Sequence, residues 1–315
     1  MNTKKELEKK LRNYLCVYWL RPETAIWRVC DWLAIKDFSF EEPMLELACG
    51  DGINSYILLG GNPPLELDNS LSVKRVGHEE YFSGVDIYDD STFRGRVGGL
   101  EIAPPPKIFD VGLDKKENLI EKAKLIRVHK EFVIHDMDQP LPFADESFNT
   151  VFSNAIYWSK NAGDLLKEIR RILKPGGKLI ATLCTDNFLK FMIYNEFLKT
   201  GNLLFKYLDR GRHILHPEGC FNEEEWKGLF AIADLEISKI DCYIPKRLVQ
   251  ISEIGLRPIT PLLIKMVDSL SPEKRNEIKK EWIDYLTYLI LPMFDGLIND
   301  PHQPQSFLAV ELVRK

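Results

Sequence analysis

The sequence predicts an α/β protein, a largely parallel sheet with helices on both faces. Two observations carry that expectation. The apolar run Leu45-Glu46-Leu47-Ala48 meets a small-residue turn, Cys49-Gly50-Asp51-Gly52, which opens straight into a helical pattern. From about residue 109 to residue 183, strand-like runs then alternate with amphipathic ones. A Gly-rich turn between strand and helix is where parallel sheets bind ligands, because such a backbone can turn sharply and be approached closely.

The elements follow in order. Residues 4–14 are charged and helical. Residues 15–35 form a helical lead-in whose aromatic face includes Trp19, Trp27 and Trp32, with Tyr14 and Tyr18 leading into it. That face can pack on the core or close over a site as a lid. The first strand is expected at 43–48 and a helix at 53–59. Gly60-Gly61-Asn62-Pro63-Pro64 is a turn cluster. Residues 65–109 exceed the ~12–15 residues of an ordinary connection, hold strand-like pieces near 80–88 and leave through prolines at 104–106. An inserted hairpin is expected there. Further strands are read at 131–136 and 150–153. Leu165, Leu166, Ile169 and Leu173 give helical spacing, and Pro175-Gly176-Gly177 should stop that helix before a strand at 178–183.

Beyond residue 185 the pattern is helical and aromatic to about 215. Asn222 is a candidate helix cap with Glu225 three positions on. A strand is expected at 235–244, helices over 247–300 and a last strand from Ser306 to Val313. The organisation read from this is a helical lid over 1–42 and a core over 43–185 with an insertion at 60–109. Helical cap insertions lie at 186–220 and 247–303, and 221–246 with 304–315 complete the sheet.

Composition narrows the function. The chain has 315 residues, 45% hydrophobic and 28% charged, with a net charge of −5, which fits a soluble globular protein without a broad basic field for nucleic acid. No stretch approaches the ~18 apolar residues of a membrane span, and the charged N-terminus lacks the apolar core of a secretory signal. A cytoplasmic location is expected. The six cysteines are scattered with no Cys-x-x-Cys pair, so no metal site is expected and the thiols read as reduced and buried.

Three stretches in order carry a resemblance: the loop from Leu45 to Gly52, the segment from Leu141 to Asn154, and Leu173 to Leu179 with its Pro-Gly-Gly turn. Together they resemble the class I S-adenosylmethionine-dependent methyltransferases, over about residues 43–184 with a weaker tail. The resemblance implies a seven-stranded Rossmann-like sheet with helices on both faces, here with an inserted hairpin and a helical cap, and S-adenosylmethionine as cofactor. It places Glu46, Ala48, Gly50 and Gly52 at the methionine part of that cofactor. Ala48 departs from the family, which usually has Gly there. An acid ending the second strand would bond the ribose hydroxyls, and two compete. Spacing favours Asp86, whereas the downstream sequence favours Asp114, and Asp114 is the reading adopted. Asp136 would accept from the adenine amino group, with Met137 beside the ring. Asn154, Tyr157 and Trp158 would face the methyl group, with Asn154 also beside the cofactor. The two aromatics would suit a sulfonium cation. Arg21 or Arg28 could meet the cofactor carboxylate. Of His213 and His216 in the approach to the cap, His216 is the candidate base.

Methyl transfer is an in-line displacement in which the protein aligns two reactants and excludes water, and a base is needed only when the acceptor must lose a proton. The expected function is methyl transfer to a small molecule in a capped pocket, with an O, N or C acceptor left open. The alternatives are transfer to a carrier protein or peptide, and a cofactor-binding regulator or scaffold without turnover.

Overall fold

The computed structural model describes residues 2–77, 79–80, 85, 87–88, 90, 99–196, 219–294, 296 and 303–315. Seven strands form one sheet: β1 Met44–Leu47, β2 Phe109–Asp114, β3 His129–Ile134, β4 Phe148–Ser153, β5 Leu173–Cys184, β6 Leu235–Pro245 and β7 Gln305–Arg314. Their spatial order is β3-β2-β1-β4-β5-β7-β6. β1 to β5 run parallel, and β7 inserts antiparallel to both β5 and β6. Consecutive order breaks at β1, which pairs with β2 on one side and β4 on the other. The chain therefore leaves those strands in opposite directions, opening a crevice at their carboxyl ends.

The helices are α1 Asn2–Tyr18, α2 Pro22–Ile35, α3 Ile53–Leu58, α4 Glu117–Ile126, α5 Ala162–Ile172, α6 Asp186–Phe191 (followed by one turn, Ile193–Glu196), α7 Glu223–Ile232, α8 Lys246–Ile254, α9 Thr260–Asp268 and α10 Pro272–Ile290. Side chains alternate across each strand, so the sheet feeds two apolar layers. Met44, Phe109, Phe152, Ile180 and Ala309 pack with α1, α2, α3, α6, α8 and α10. Leu45, Leu47, Leu113, Val151, Leu179 and Leu308 pack with α5 and α7 on the other face.

Local chemistry explains several boundaries. The Asn222 side chain accepts from Glu225 N–H while the Glu225 carboxylate accepts from Asn222 N–H, a closed capping box at the start of α7. Asn161 caps α5 by accepting from Asp164 N–H at 3.1 Å. Pro175-Gly176-Gly177 does not form a separate stop. β5 is already extended at Leu173, and the partner of β4 advances five positions (173 to 178) while β4 advances two (148 to 150). The turn is thus a bulge inside the strand pair. Gly176 supplies the left-handed φ of 74°, and a Cβ on Gly177 would lie 2.8 Å from Lys174 O.

The hairpin expected at 65–109 is not seen among the described residues. These contain a 3-10 turn, Asn69–Ser72, and no strand before β2. Much of the strand-like stretch near 80–88, Asp86 included, lies outside the described residues. The stretch that is described is fastened by a buried acid. Asp68 Oδ2 accepts from Trp19 Nε1, in the turn after α1, at 2.6 Å and from Arg275 Nη2 of α10 at 2.9 Å, and its Oδ1 accepts from Ser70 Oγ at 2.7 Å. Burial works against its charge, but Lys279 and Arg275 outweigh that and hold its pKa below the ordinary aspartate value. Lys279 itself, 1% exposed, donates to Leu67 O at 2.8 Å and to Leu65 O. One carboxylate therefore joins the turn between α1 and α2, the insertion and α10.

Candidate functional site

A cavity of about 810 Å³ opens at the crevice. One side of it is made where three parallel strands end: Ala48, Gly50 and Asp51 after β1, Asp114, Lys115 and Lys116 at the end of β2, and His135, Asp136 and Met137 after β3. The other side is made by α1 and α2 (Tyr18, Trp27, Arg28), by Ala155, Tyr157 and Trp158 after β4, and by Phe188 and Phe307.

The loop after β1 is held open by its own backbone. Ala48, Gly50 and Gly52 all take left-handed φ, at 54°, 58° and 73°. A Cβ on Gly50 would meet nothing within 4 Å, so that loop presents an open cradle to the cavity. Gly52 instead faces inward and starts α3, where a Cβ would lie 3.1 Å from Val128 Cγ1. Asp51 turns back on the loop, Oδ1 accepting from Ile53 N–H at 3.1 Å, and burial raises its carboxyl pKa.

Asp114 is the end residue of β2 and is 8% exposed. Its Oδ2 accepts from Gly50 N–H and its Oδ1 from Lys116 N–H, both at 2.9 Å. Each carboxylate oxygen has a second lone pair, so both remain able to accept from a pair of ligand hydroxyls. Asp136 stands two residues beyond β3, its Oδ1 accepting from Asp138 N–H at 3.1 Å and its Oδ2 lying 3.7 Å from Lys115 Nζ. The carboxylates of Asp114 and Asp136 and the open backbone at Gly50 thus line one cavity.

Three expected contacts are absent from that side of the cavity: Gly52, which faces inward, Glu46 and Asn154. Glu46 is 2% exposed and faces away from the cavity, into the sheet packing. Its Oε2 lies 2.6 Å from His129 Nε2, and Ser55 Oγ donates to its Oε1. His129 reaches it by lying across β2 at Gly112, where a Cβ would fall 2.7 Å from the imidazole Cδ2. The acid is thus a strut under the loop. Asn154 is also outside the lining. Ser153 Oγ donates to Leu47 O at 3.0 Å and accepts from Ala155 N–H at 3.1 Å, a turn that brings Ala155 to the cavity in its place. His135, read as a strand residue, lies just past β3 and lines the cavity, with Nε2 at 3.0 Å from Pro140 O. His213 and His216 lie outside the described residues.

The aromatic lead-in divides between both uses. Tyr14, Trp19 and Trp32 are buried in the core, whereas Tyr18 and Trp27 line the cavity. Trp27 packs edge-on against Phe307 at 5.3 Å and Phe188 at 6.1 Å, and Phe307 meets Tyr157 at 5.7 Å. Behind this box Arg28 donates to Asp31 Oδ2 at 2.9 Å, and Tyr243 Oη donates to Asp31 Oδ1 at 2.9 Å. Burial would lower the Arg28 pKa, but Asp31 and the nearby Tyr18 and Tyr157 hydroxyls reverse it, so the guanidinium stays charged. Burial raises the Tyr18 and Tyr157 pKa values, keeping both phenols neutral. Sequence reasoning did not single out Glu23, Phe188, Phe307 or Arg257, all in the lining. These come from segments far apart in the chain, with no motif spacing to join them.

Sheet order and crevice define a Rossmann-like nucleotide-binding architecture with the antiparallel seventh strand of the methyltransferase type. Residues 108–181 match the family model described as a methyltransferase domain. Among curated relatives, the chain is 34% identical over 174 residues to a malonyl-[acyl-carrier protein] O-methyltransferase of Erwinia pyrifoliae, covering 53% of this chain and 59% of that protein. It is 34% identical over 104 residues to a demethylmenaquinone methyltransferase of Bacillus cytotoxicus, covering 31% of this chain and 41% of the relative. The chain thus spans little more than half of the longer-matching of these two relatives. A solved S-adenosylmethionine-dependent methyltransferase from Thermotoga maritima, described as a possible histamine N-methyltransferase, aligns with a TM-score of 0.49 and 14% identity, over 93% of this chain and 91% of that one. The matched segment and the sheet order are those of the class I S-adenosylmethionine-dependent methyltransferase fold, and S-adenosylmethionine is the cofactor that goes with it. Among the described residues no helix is long and apolar enough to cross a membrane.

Proposed function

We propose that this protein transfers a methyl group from S-adenosylmethionine to a small-molecule acceptor bound in the same cavity. One observation carries the reading: a single space is walled on one side by the loops after β1, β2 and β3 and on the other by the Trp27–Phe188–Phe307–Tyr157 box. At about 810 Å³ it stands in the upper part of the ~300–1,000 Å³ range of ligand pockets, room for a nucleoside and a second small molecule together.

In this reading Asp114 holds the ribose hydroxyls, Asp136 accepts from the adenine amine and Met137 flanks the ring. The backbone at Ala48 and Gly50 lets the methionine end come close, with Arg21 or Arg28 toward its carboxylate. Glu46 acts through the loop it supports. Tyr157 and Trp158 wall the reacting centre and keep water from it. The cofactor supplies an electrophilic sulfonium methyl group, so the protein's share is alignment and desolvation.

Isothermal titration with S-adenosylmethionine and S-adenosylhomocysteine tests it. Binding of both is expected, followed by methyl uptake by a small acceptor. Asp114→Ala removes two charge-assisted acceptors and should weaken S-adenosylhomocysteine roughly a hundredfold. Unchanged affinity would remove Asp114 from the site, and no binding of either nucleoside by the native chain would overturn the function.

A further inference from the structure

We propose that Glu23 receives the acceptor molecule, and that the acceptor presents an N–H or O–H group to it. This rests on the methyl-transfer reading above.

Glu23 stands in the first turn of α2, is 2% exposed and lines the cavity. Its Oε1 is buried and has no hydrogen-bond partner. A buried carboxylate oxygen without a donor is costly, and folded proteins keep few of them. The position is built to hold it. At Gly255 a Cβ would lie 3.1 Å from the Glu23 Oε2, so only the missing side chain lets the carboxyl settle beside that turn. Burial raises the Glu23 pKa, and the nearby backbone amides of Glu23, Leu256 and Arg257 with the Arg21 charge oppose that rise.

The surroundings say what would fill the vacancy in its hydrogen bonding. Arg28, which lines the cavity, is already paired with Asp31, and Arg21 donates to Tyr88 Oη at 2.9 Å. The box of Trp27, Phe188, Phe307 and Tyr157 takes a flat or apolar body. An acceptor with such a body and a donor head satisfies both features. One whose head is a bare carboxylate would set like charges side by side.

The chemistry balances. The acceptor nitrogen or oxygen uses a lone pair to form the new bond to the methyl carbon. The carbon–sulfur bond breaks with its electrons left on sulfur, giving a neutral thioether. The acceptor's proton passes to Glu23 Oε1 and from there to water. A carboxylate raised in pKa by burial suits that proton.

The test uses the full chain saturated with S-adenosylhomocysteine and three matched probes: phenethylamine, 2-phenylethanol and phenylacetate. Calorimetry should show the amine or the alcohol binding more tightly than phenylacetate. Glu23→Gln keeps the shape and removes the charge, and should weaken the donor probes about tenfold while S-adenosylhomocysteine binds as before. The amine arm and the alcohol arm tell which donor is preferred. Tighter binding of phenylacetate, no binding of either donor probe, or an unaltered donor affinity in Glu23→Gln would overturn the inference. Failure of the native chain to bind S-adenosylhomocysteine would instead strike the methyl-transfer reading itself.

Discussion

At the Asp114 end of the cavity the wall is local in sequence, a few closely spaced residues at the end of each of three neighbouring strands. At the Glu23 end it is side chains gathered from α1, α2, α6, β7 and the turn after α8. The first kind of wall is set by φ angles and main-chain hydrogen bonds, as in the Gly50 N–H bond to Asp114. The second is set by ion pairs and ring packing, as in Arg28–Asp31 and Trp27–Phe307. The first wall, fixed by left-handed φ angles, tolerates little change. The side-chain wall can be respecified one residue at a time, provided its buried charges stay paired.

That contrast can be broken most forcefully at Asp31. Asp31→Ala leaves the half-buried Arg28 without its carboxylate and Tyr243 Oη without its acceptor, and about 3 kcal/mol of stability should go, read by urea unfolding. A loss under ~1 kcal/mol would mean that the pair behaves like a surface one. Gly52→Ala probes the opposite wall. It forces a side chain into a left-handed φ of 73° and against Val128, at a cost of about 2 kcal/mol with loss of cofactor affinity. Glu23→Gln sharpens the comparison through pH. Because burial raises the folded Glu23 pKa above its unfolded value, the native chain binds more protons there than the unfolded chain does. Its contribution is full below the unfolded pKa and is lost as pH rises through the folded one. The Gln variant should therefore gain melting temperature relative to the native chain as pH rises above the ordinary glutamate pKa of ~4.3, and a constant difference would refute it. The smallest effect is expected at Ala48→Gly. Relief of a left-handed alanine slightly exceeds the added chain entropy, for a gain of about 0.5 kcal/mol in thermal unfolding.

The same contrast explains what could be read in the chain. Cys49-Gly50-Asp51-Gly52 lies in four adjacent positions, and its glycines have only a few physical uses. The two candidates for the second strand were separated by the fold, which ends β2 at Asp114 and sets it beside Gly50. The capping box at Asn222 was legible because both partners lie within one turn. Glu46 misled because an acid at a strand end has the same sequence signature whether it points to a ligand or to an imidazole 83 positions away. Glu23 was silent because its meaning depends on Gly255, Trp27 and Phe307, which no spacing rule connects to it. The bulge in β5 was misread because a Pro-Gly-Gly turn and a Pro-Gly-Gly detour within a strand have one composition.

The strut of Glu46, His129 and Gly112 has a consequence for anyone exchanging parts between this chain and its relatives. The three residues sit on three adjacent strands, and each presupposes the others: a side chain at position 112 evicts the imidazole, and without the imidazole the carboxylate is stranded inside the sheet. They form a single heritable unit dispersed over the sequence. A chimera that imports residues 44–52 alone carries the visible motif and leaves its foundation behind, and the donor's 112 and 129 must travel with it.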